Sequence, residues 1–303
     1  MPWTREKGLS LTVTVDVMLP YYGDVDQMKL AVESVLSQTY PHWRLVVIDD
    51  GYPDPEPARW FGGISDPRVT YQRNETNLGA NGNYRKAVEL VTAEWFVMMG
   101  ADDVMGQDYL ESVVGAIQTS DVDVVQPGVD VIDENGTVVL PLADRLKRML
   151  SLKPPAGGVV VSGEHLAASL LRANWAYFPS LAWRTATVRE IGFRQGLDVV
   201  QDLALILDIT ASGGRMIVFP ETVFSYRRHS QSDSSVRALD GRRFDEERRF
   251  FEGEAKRFAG MGWKKAGRAA RAHITSRLNA ASLLPKAMTK GGSPSALARH
   301  IFS

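Results

Sequence analysis

The stretch Trp95-Phe-Val-Met-Met-Gly-Ala-Asp-Asp-Val104 constrains this chain most. Apolar residues run from Trp95 to Met99 without alternation and stop on Gly100-Ala101-Asp102-Asp103. A strand with no polar face must be covered on both sides, which suits the centre of a mostly parallel sheet between two helical layers. In open sheets of this kind ligands gather just beyond the carboxyl ends of the strands. Two adjacent carboxylates there repel each other unless a positive charge sits beside them. A hard divalent cation, Mg2+ or Mn2+, carrying a phosphate-bearing ligand meets that need. The plainer alternative is a solvated turn that caps the next helix.

The flanking sequence repeats the theme of buried strand, polar break and helix. Leu11 to Leu19 reads as a strand that breaks at Pro20-Tyr-Tyr-Gly-Asp24, where Asp24 is placed to cap a helix running to about Gln38. Leu45 to Ile48 is a second strand, closed by Asp49-Asp50-Gly51, and Val69 to Tyr71 is a third. Asn77-Leu-Gly-Ala-Asn-Gly82 forms a polar loop ahead of a helix from about Asn83 to Val91. Another helix is expected from about Gln107 to Gln118. Such alternation predicts an α/β fold with a doubly wound, mostly parallel sheet. The loops after the first, second and fourth strands then share one rim, where their carboxylates and amides converge.

The second half is less regular. Val122 to Val125 and Val129 to Ile132 read as strands, and Asp133-Glu-Asn-Gly136 as a hairpin turn before Val138 to Leu140. A helix ends near Leu152, and Pro154 to Gly158 reads as a connection. A helix follows near Glu164 to Arg172, then an apolar stretch, Val199 to Leu207, and a strand, Met216 to Phe219. From Asp240 onward basic residues outnumber acidic ones and two helices are expected. The first puts Phe244, Phe251, Ala255 and Phe258 on one face. The second runs from Trp263 to Leu284, with Ala266, Ala270, Ile274, Leu278 and Ala281 opposite Lys264, Lys265, Arg268 and Arg271. That tail suits a helical cap, a homo-oligomer contact, or an anionic membrane surface.

Composition narrows the field. At 303 residues the chain is long enough for one large domain with an appendage, and a net charge of -1 gives no case for nucleic-acid binding. The absence of cysteine removes disulfides and thiolate metal sites and fits a reducing cytoplasm. No window approaches the ~20 apolar residues of a spanning helix, and the opening residues do not read as a signal peptide.

Val17-Met-Leu-Pro-Tyr-Tyr22, Ser34-Val-Leu-Ser-Gln-Thr-Tyr40, Val46-Val-Ile-Asp-Asp-Gly51, Asn77-Leu-Gly79 and Gly100-Ala-Asp-Asp103 occur in that order. Together they resemble the nucleotide-sugar half of inverting family-2 glycosyltransferases of the GT-A fold. Ile191-Gly-Phe193, Gln201-Asp202 and Tyr226-Arg-Arg-His229 resemble that family's acceptor half. The resemblance implies a nucleotide-sugar-binding half over 1–120 and an acceptor-binding, catalytic-base half of the same domain over 121–235. Residues 236–303 form a basic amphipathic helical extension outside it.

The implied reaction moves a sugar from a nucleoside-diphosphate donor, UDP- or dTDP-linked, to a saccharide or glycolipid acceptor in surface polysaccharide synthesis. Pro20 and Tyr22 would line the base pocket, Asp50 would bind the uracil or ribose, and Asn77 and Gly79 would close the nucleotide's other side. Asp102 and Asp103 would contact the ribose and hold Mn2+ or Mg2+ on the diphosphate. Relatives often read Asp-Ala-Asp-Asp, and Gly100 stands at the first of those positions. Asp103 is the expected main metal ligand, with Asp102 shared. Asp202 matches the general base, which must lie across the site from the metal because the acceptor attacks opposite the departing diphosphate. Its plainer reading is a carboxylate on a helix dipole. His229 would be a further metal ligand, Arg227 and Arg228 phosphate partners, and Trp175, Tyr177 and Trp183 acceptor contacts or core. Peripheral attachment to the inner face of the cell membrane through the C-terminal helices fits the same picture.

Two other classes share the sheet and the acidic loop. A sugar-nucleotide nucleotidyltransferase needs a glycine-rich basic loop after the first strand, which Pro20-Tyr-Tyr-Gly-Asp24 is not. A degenerate nucleotide-sugar-binding module would be favoured by Gly100 and disfavoured by Asp202.

Overall fold

A computed structural model describes residues 12–228, 242–289 and 293–302. In the first half, β1 (Val15–Tyr21), α1 (Val25–Leu36), β2 (Trp43–Asp49), α2 (Glu56–Phe61), β3 (Val69–Arg73), α3 (Gly79–Leu90), β4 (Trp95–Met98), β5 (Val104–Met105) and α4 (Tyr109–Thr119) follow in order. Next come β6 (Val124–Ile132), β7 (Val138–Val139), α5 (Leu142–Leu150), β8 (Val159–Ser162), α6 (Gly163–Ala173), β9 (Ala182–Arg184), α7 (Thr185–Ile191), α8 (Gln201–Ala211) and β10 (Arg215–Arg227). The C-terminal helices are α9 (Arg242–Gly260), α10 (Lys264–Ala272), α11 (Ile274–Thr289) and α12 (Pro294–Phe302).

The strands form one sheet in the order β3-β2-β1-β4-β9-β6-β10-β5, with β7 on β6 and β8 on β10. Two parallel blocks, β3-β2-β1-β4 and β6-β10, meet through β9, which is antiparallel to both β4 and β6. Period-2 alternation sends Val15, Val17 and Leu19 of β1 to the α1 and α4 side and Met18 to the side of α3, α6 and α8. Both faces are therefore dry, as the unbroken apolar runs require. Asp24 caps α1 by accepting from Gln27 N–H at 2.9 Å.

Departures from the sequence reading have local causes. The two strands expected over 122–132 are one strand, β6, running straight through Pro127-Gly128. A Cβ at Gly128 would lie 2.5 Å from the Pro220 carbonyl, so glycine lets β6 pass the irregular Pro220-Glu221 segment of β10. The polar loop at Gly79 to Gly82 is already the first turn of α3, with Asn77 Oδ1 accepting from Gly79 N–H at 2.9 Å. Pro154 to Gly158 leads into a strand, β8. The long helix expected from Trp263 to Leu284 is broken at His273, whose φ of 26° lies in the left-handed region. As a result Ala266 and Ala270 are buried, while Ile274, Leu278 and Ala281 of α11 are exposed.

Candidate active site

The acidic loop hangs between two strands. β4 ends at Met98, and β5 pairs antiparallel with the far end of β10. Arg227, the last residue of β10, donates its backbone N–H to Asp103 Oδ1 at 2.8 Å. Its guanidinium donates to the carbonyls of Asp102 at 2.7 Å, Asp133 at 2.9 Å and Glu134 at 3.1 Å. Arg227 is buried and its donors face protein carbonyls, so the expected phosphate contact gives way to a brace for the loop.

Asp103 is buried, and its Oδ2 has no hydrogen-bond partner among the described residues. A buried carboxylate oxygen without a partner is destabilising unless a proton or cation serves it. Burial, and then the Asp102 charge, hold the Asp103 carboxyl well above the ordinary carboxylate range, against the opposing pull of Arg227. A Cβ at Gly100 would lie 2.4 Å from Asp103 Oδ2 and 3.0 Å from Asp102 Oδ1. The missing first acidic residue is thus a steric condition for the pose of the other two. The donor set, two carboxylates with an open buried oxygen, fits a hard divalent cation. Among the described residues no group of three His, Cys, Asp or Glu side chains gathers to hold a metal. His229, the expected extra ligand, lies outside the described residues.

On the donor side Asp50 is buried, and its Oδ1 accepts from Leu78 N–H and Asn74 Nδ2, both at 2.8 Å. It thereby ties the end of β2 to the Asn77-Leu78-Gly79 loop. Asn77 and Gly79 are exposed, and Gly79 has a φ of 71° that a side chain would strain. Pro20 lies at the end of β1, and Tyr22 stands exposed with its ring edge-on to Tyr52 at 5.5 Å. Asp49 is structural: it accepts from Tyr52 N–H at 2.7 Å and from the Tyr71 hydroxyl at 2.5 Å.

Asp202 sits in the first turn of α8, where its Oδ1 accepts from Leu203 N–H at 2.7 Å. Burial raises its carboxyl above the ordinary value, and the Leu203 N–H, Lys147 and Arg243 oppose that shift. The turn before it is pinned from two directions. Glu246 of α9 accepts from the N–H groups of Asp198, Val199 and Val200 at 3.0, 2.7 and 3.2 Å. Asn81 of α3 donates to the Leu197 carbonyl at 2.8 Å. Tyr84, also on α3, is within electrostatic reach of Asp102, Asp202 and Asp103 together. Burial and those carboxylates push its phenol up. The second-half aspartate and the acidic loop therefore both lie near one side chain, Tyr84.

The expected acceptor aromatics divide. Trp183 on β9 is 1% exposed and lies in the core, so it offers no face to a ligand. Trp175 is buried too, with its Nε1 donating to Ser169 Oγ at 3.0 Å, although it borders a cleft of about 250 Å³. Tyr177 lines that cleft, 5.2 Å from the Tyr226 ring, and its hydroxyl donates to Asp144 Oδ1 at 2.9 Å. Asp144 is buried and paired with Arg228 at 2.6 Å, so this guanidinium too is engaged within the protein. Lys147 stands 5.3 Å from the Tyr177 ring centre, and burial, then Arg228, lowers it to about 8. The sequence reading passed over Tyr84, Asp144, Lys147 and Glu246. Tyr226, Arg227 and Arg228 lay inside one motif it had marked, and Asn81 inside another.

A carboxylate loop at the carboxyl rim of one parallel block, with an aspartate from the second half near the same tyrosine, suits a GT-A fold of the glycosyltransferase kind. The chain belongs to glycosyl transferase family 2, whose family model matches residues 16–173. It is 26% identical over 231 residues to the succinoglycan biosynthesis protein ExoO of Rhizobium meliloti, covering 75% of this chain and 64% of ExoO. It is 25% identical over 124 residues to WfgD of Escherichia coli, a UDP-Glc:alpha-D-GlcNAc-diphosphoundecaprenol beta-1,3-glucosyltransferase, covering 41% of this chain and 49% of WfgD. The chain thus spans less than two thirds of each of these relatives. Among solved structures, S. aureus TarS with UDP-GlcNAc superposes with a TM-score of 0.61 at 17% identity, covering 78% of this chain and 65% of that one. The mannosyltransferase PcManGT of Pyrobaculum calidifontis with GDP-Man and Mn2+ gives 0.59 at 19% identity, covering 98% and 81%. These likenesses establish the fold.

Proposed function

We propose that the protein transfers a sugar, with inversion, from a nucleoside-diphosphate donor to a hydroxyl of a saccharide or glycolipid acceptor during envelope or surface polysaccharide synthesis. The observation that carries this reading is Asp103 Oδ2, buried and without a partner among the described residues, with Tyr84 within electrostatic reach of both Asp103 and Asp202. The names of the relatives, which concern succinoglycan and a diphosphoundecaprenol-linked sugar, support the substrate class.

Pro20, Tyr22, Asp50, Asn77, Gly79 and Asp102 would seat the nucleotide of a UDP- or dTDP-sugar. Asp103 and Asp102 would hold Mn2+ or Mg2+, which when bound would offset the negative charge that grows on the departing diphosphate. Asp202 takes the proton of the acceptor hydroxyl as its oxygen bonds to the anomeric carbon. The bond from that carbon to the diphosphate breaks, and its electron pair leaves with the phosphate oxygen. Tyr84, within reach of both acidic groups, would order the donor sugar. Among the described residues no helix is long and apolar enough to cross a membrane, and peripheral attachment at the inner face of the cell membrane belongs to the same reading.

Incubation with a panel of UDP- and dTDP-sugars, Mn2+ or Mg2+, and lipid-linked or free saccharides tests this. Metal-dependent release of nucleoside diphosphate is expected. Release of pyrophosphate would assign the cleft to nucleotidyl transfer instead, and binding of nucleotide with no turnover would leave a carrier.

A further inference from the structure

Helix α5 packs Leu150 against the core but turns most of its other apolar residues outward. In a soluble helix the leucines face the core, yet Leu142 is 66% and Met149 65% exposed. Seven residues apart, they share one face of α5. The opposite face carries Asp144, which is 1% exposed and locked to Arg228 and to Tyr177. Those polar contacts fix the rotation of the helix, so its apolar stripe is held toward solvent. The adjoining hairpin adds Val138 and Leu140, also exposed, and Arg145, Arg148 and Lys153 rim the stripe.

We infer that the β7–α5 face is a docking surface for an anionic lipid bilayer. Exposed leucine and methionine flanked by cations match a membrane interface, where apolar side chains enter the headgroup boundary and lysines and arginines meet acidic lipids. Charge decides against a second copy of the chain. A two-fold contact would bring the cations of both copies onto one interface, and α5 exposes no acid to answer them. The acids nearby are Glu134, exposed at the hairpin tip, and Asp130 inside the cleft. The C-terminal helix α10 is the weaker candidate, because its apolar residues Ala266 and Ala270 are already buried in the core.

The surface also has a fitting position. The 250 Å³ cleft lies directly behind it, lined by Lys147 and Tyr177, and Lys147 is within electrostatic reach of Asp202. A bilayer against α5 would present a lipid-borne acceptor on the side of the general base. That last step rests on the glycosyltransferase reading above, whereas bilayer binding does not.

Co-sedimentation of the full chain with phosphatidylcholine vesicles, with and without phosphatidylglycerol, is the test. Binding is expected with the anionic vesicles and to weaken in salt. The variant Leu142→Ser/Met149→Ser should lower it about tenfold. Lys264→Glu/Arg268→Glu should leave it within about twofold. Donor turnover with a soluble acceptor should be unchanged in both, which separates failure of this surface from failure of the enzyme reading. The inference is overturned by binding that survives the serine pair, by loss confined to the C-terminal variant, or by no vesicle binding at all. Sedimentation velocity that shows a dimer abolished by the serine pair would likewise overturn it and assign the face to a second copy.

Discussion

Arg227 holds Asp103 by a backbone hydrogen bond of 2.8 Å across 124 residues of sequence. The acidic loop is therefore set by the far end of β10 as much as by the strand that leads into it. The same residue reaches the β6–β7 hairpin, so loop, strand and hairpin are tied together through one side chain.

Replacing Arg227 by Ala should leave the part-buried carbonyls of Asp102, Asp133 and Glu134 short of a donor, remove a buried side chain, and destabilise the protein by about 2–4 kcal/mol. Arg227→Lys should recover little, because one ammonium does not span the carbonyls of Asp102, Asp133 and Glu134. Chemical denaturation of the metal-free protein reads this directly. A stability loss below about 1 kcal/mol would show that the brace is dispensable.

Gly100→Ala should displace the Asp103 carboxylate and weaken Mn2+ binding more than it lowers the melting temperature. Gly100→Asp, which restores the tetrad common in relatives, should behave worse rather than better, since its Cβ meets Asp103 Oδ2 at 2.4 Å. Paramagnetic titration of Mn2+ in the presence of UDP measures both. An aspartate that tightens the metal would refute the steric account.

Asp202→Asn should lower turnover by about 10²–10⁴-fold while leaving UDP binding intact. The acid limb of the rate profile should fall above the ordinary aspartate range, because burial raises this carboxyl. Lys147→Gln removes a charge that favours the ionised base, so that limb should move to higher pH. Stability follows the same sign. A carboxyl raised by folding stabilises the native state below its unfolded value, and the benefit is lost as pH rises through the raised one. The Asn variant should therefore gain on the wild type as pH increases across that window, as denaturation at several pH values will show.

Glu246→Ala should free the N–H groups ahead of α8 and cost about 1–2 kcal/mol, with a fall in turnover and little change in nucleotide affinity. Glu246→Gln, which keeps an acceptor in place, should recover much of the rate. Equal losses of rate and nucleotide binding would mean that the clamp acts on the whole fold rather than on Asp202.

Much of the donor half was legible because its strands are buried on both faces and leave unbroken apolar runs ending in polar loops. Asp50 and Asn77 were brought to one nucleotide only by the family resemblance, and the structure ties Asp50 to the Asn77 loop through Leu78. Short strands were illegible: β5, β8 and β9 are two to four residues long and exist through their partners' hydrogen bonds rather than through any pattern of their own. Asp144 gave no sign of its role because its partner, Arg228, is 84 residues away. Trp183 could be read as an aromatic platform or as core, because sequence records a side chain's type and not the face it takes; it is core. The break at His273 was hidden for a similar reason, since the helical period runs through it and the left-handed backbone does not show in composition.

The seam between the two parallel blocks is three residues wide, Ala182 to Arg184, with Trp183 placed between Phe96 on one side and Val124 on the other. Its indole projects from one face of that joint into the core, where it shares a cluster with Leu203 and Leu207 of α8, the helix that carries Asp202. A side chain that almost no solvent reaches thus shares its packing with that helix, and trimming it would loosen seam and helix together.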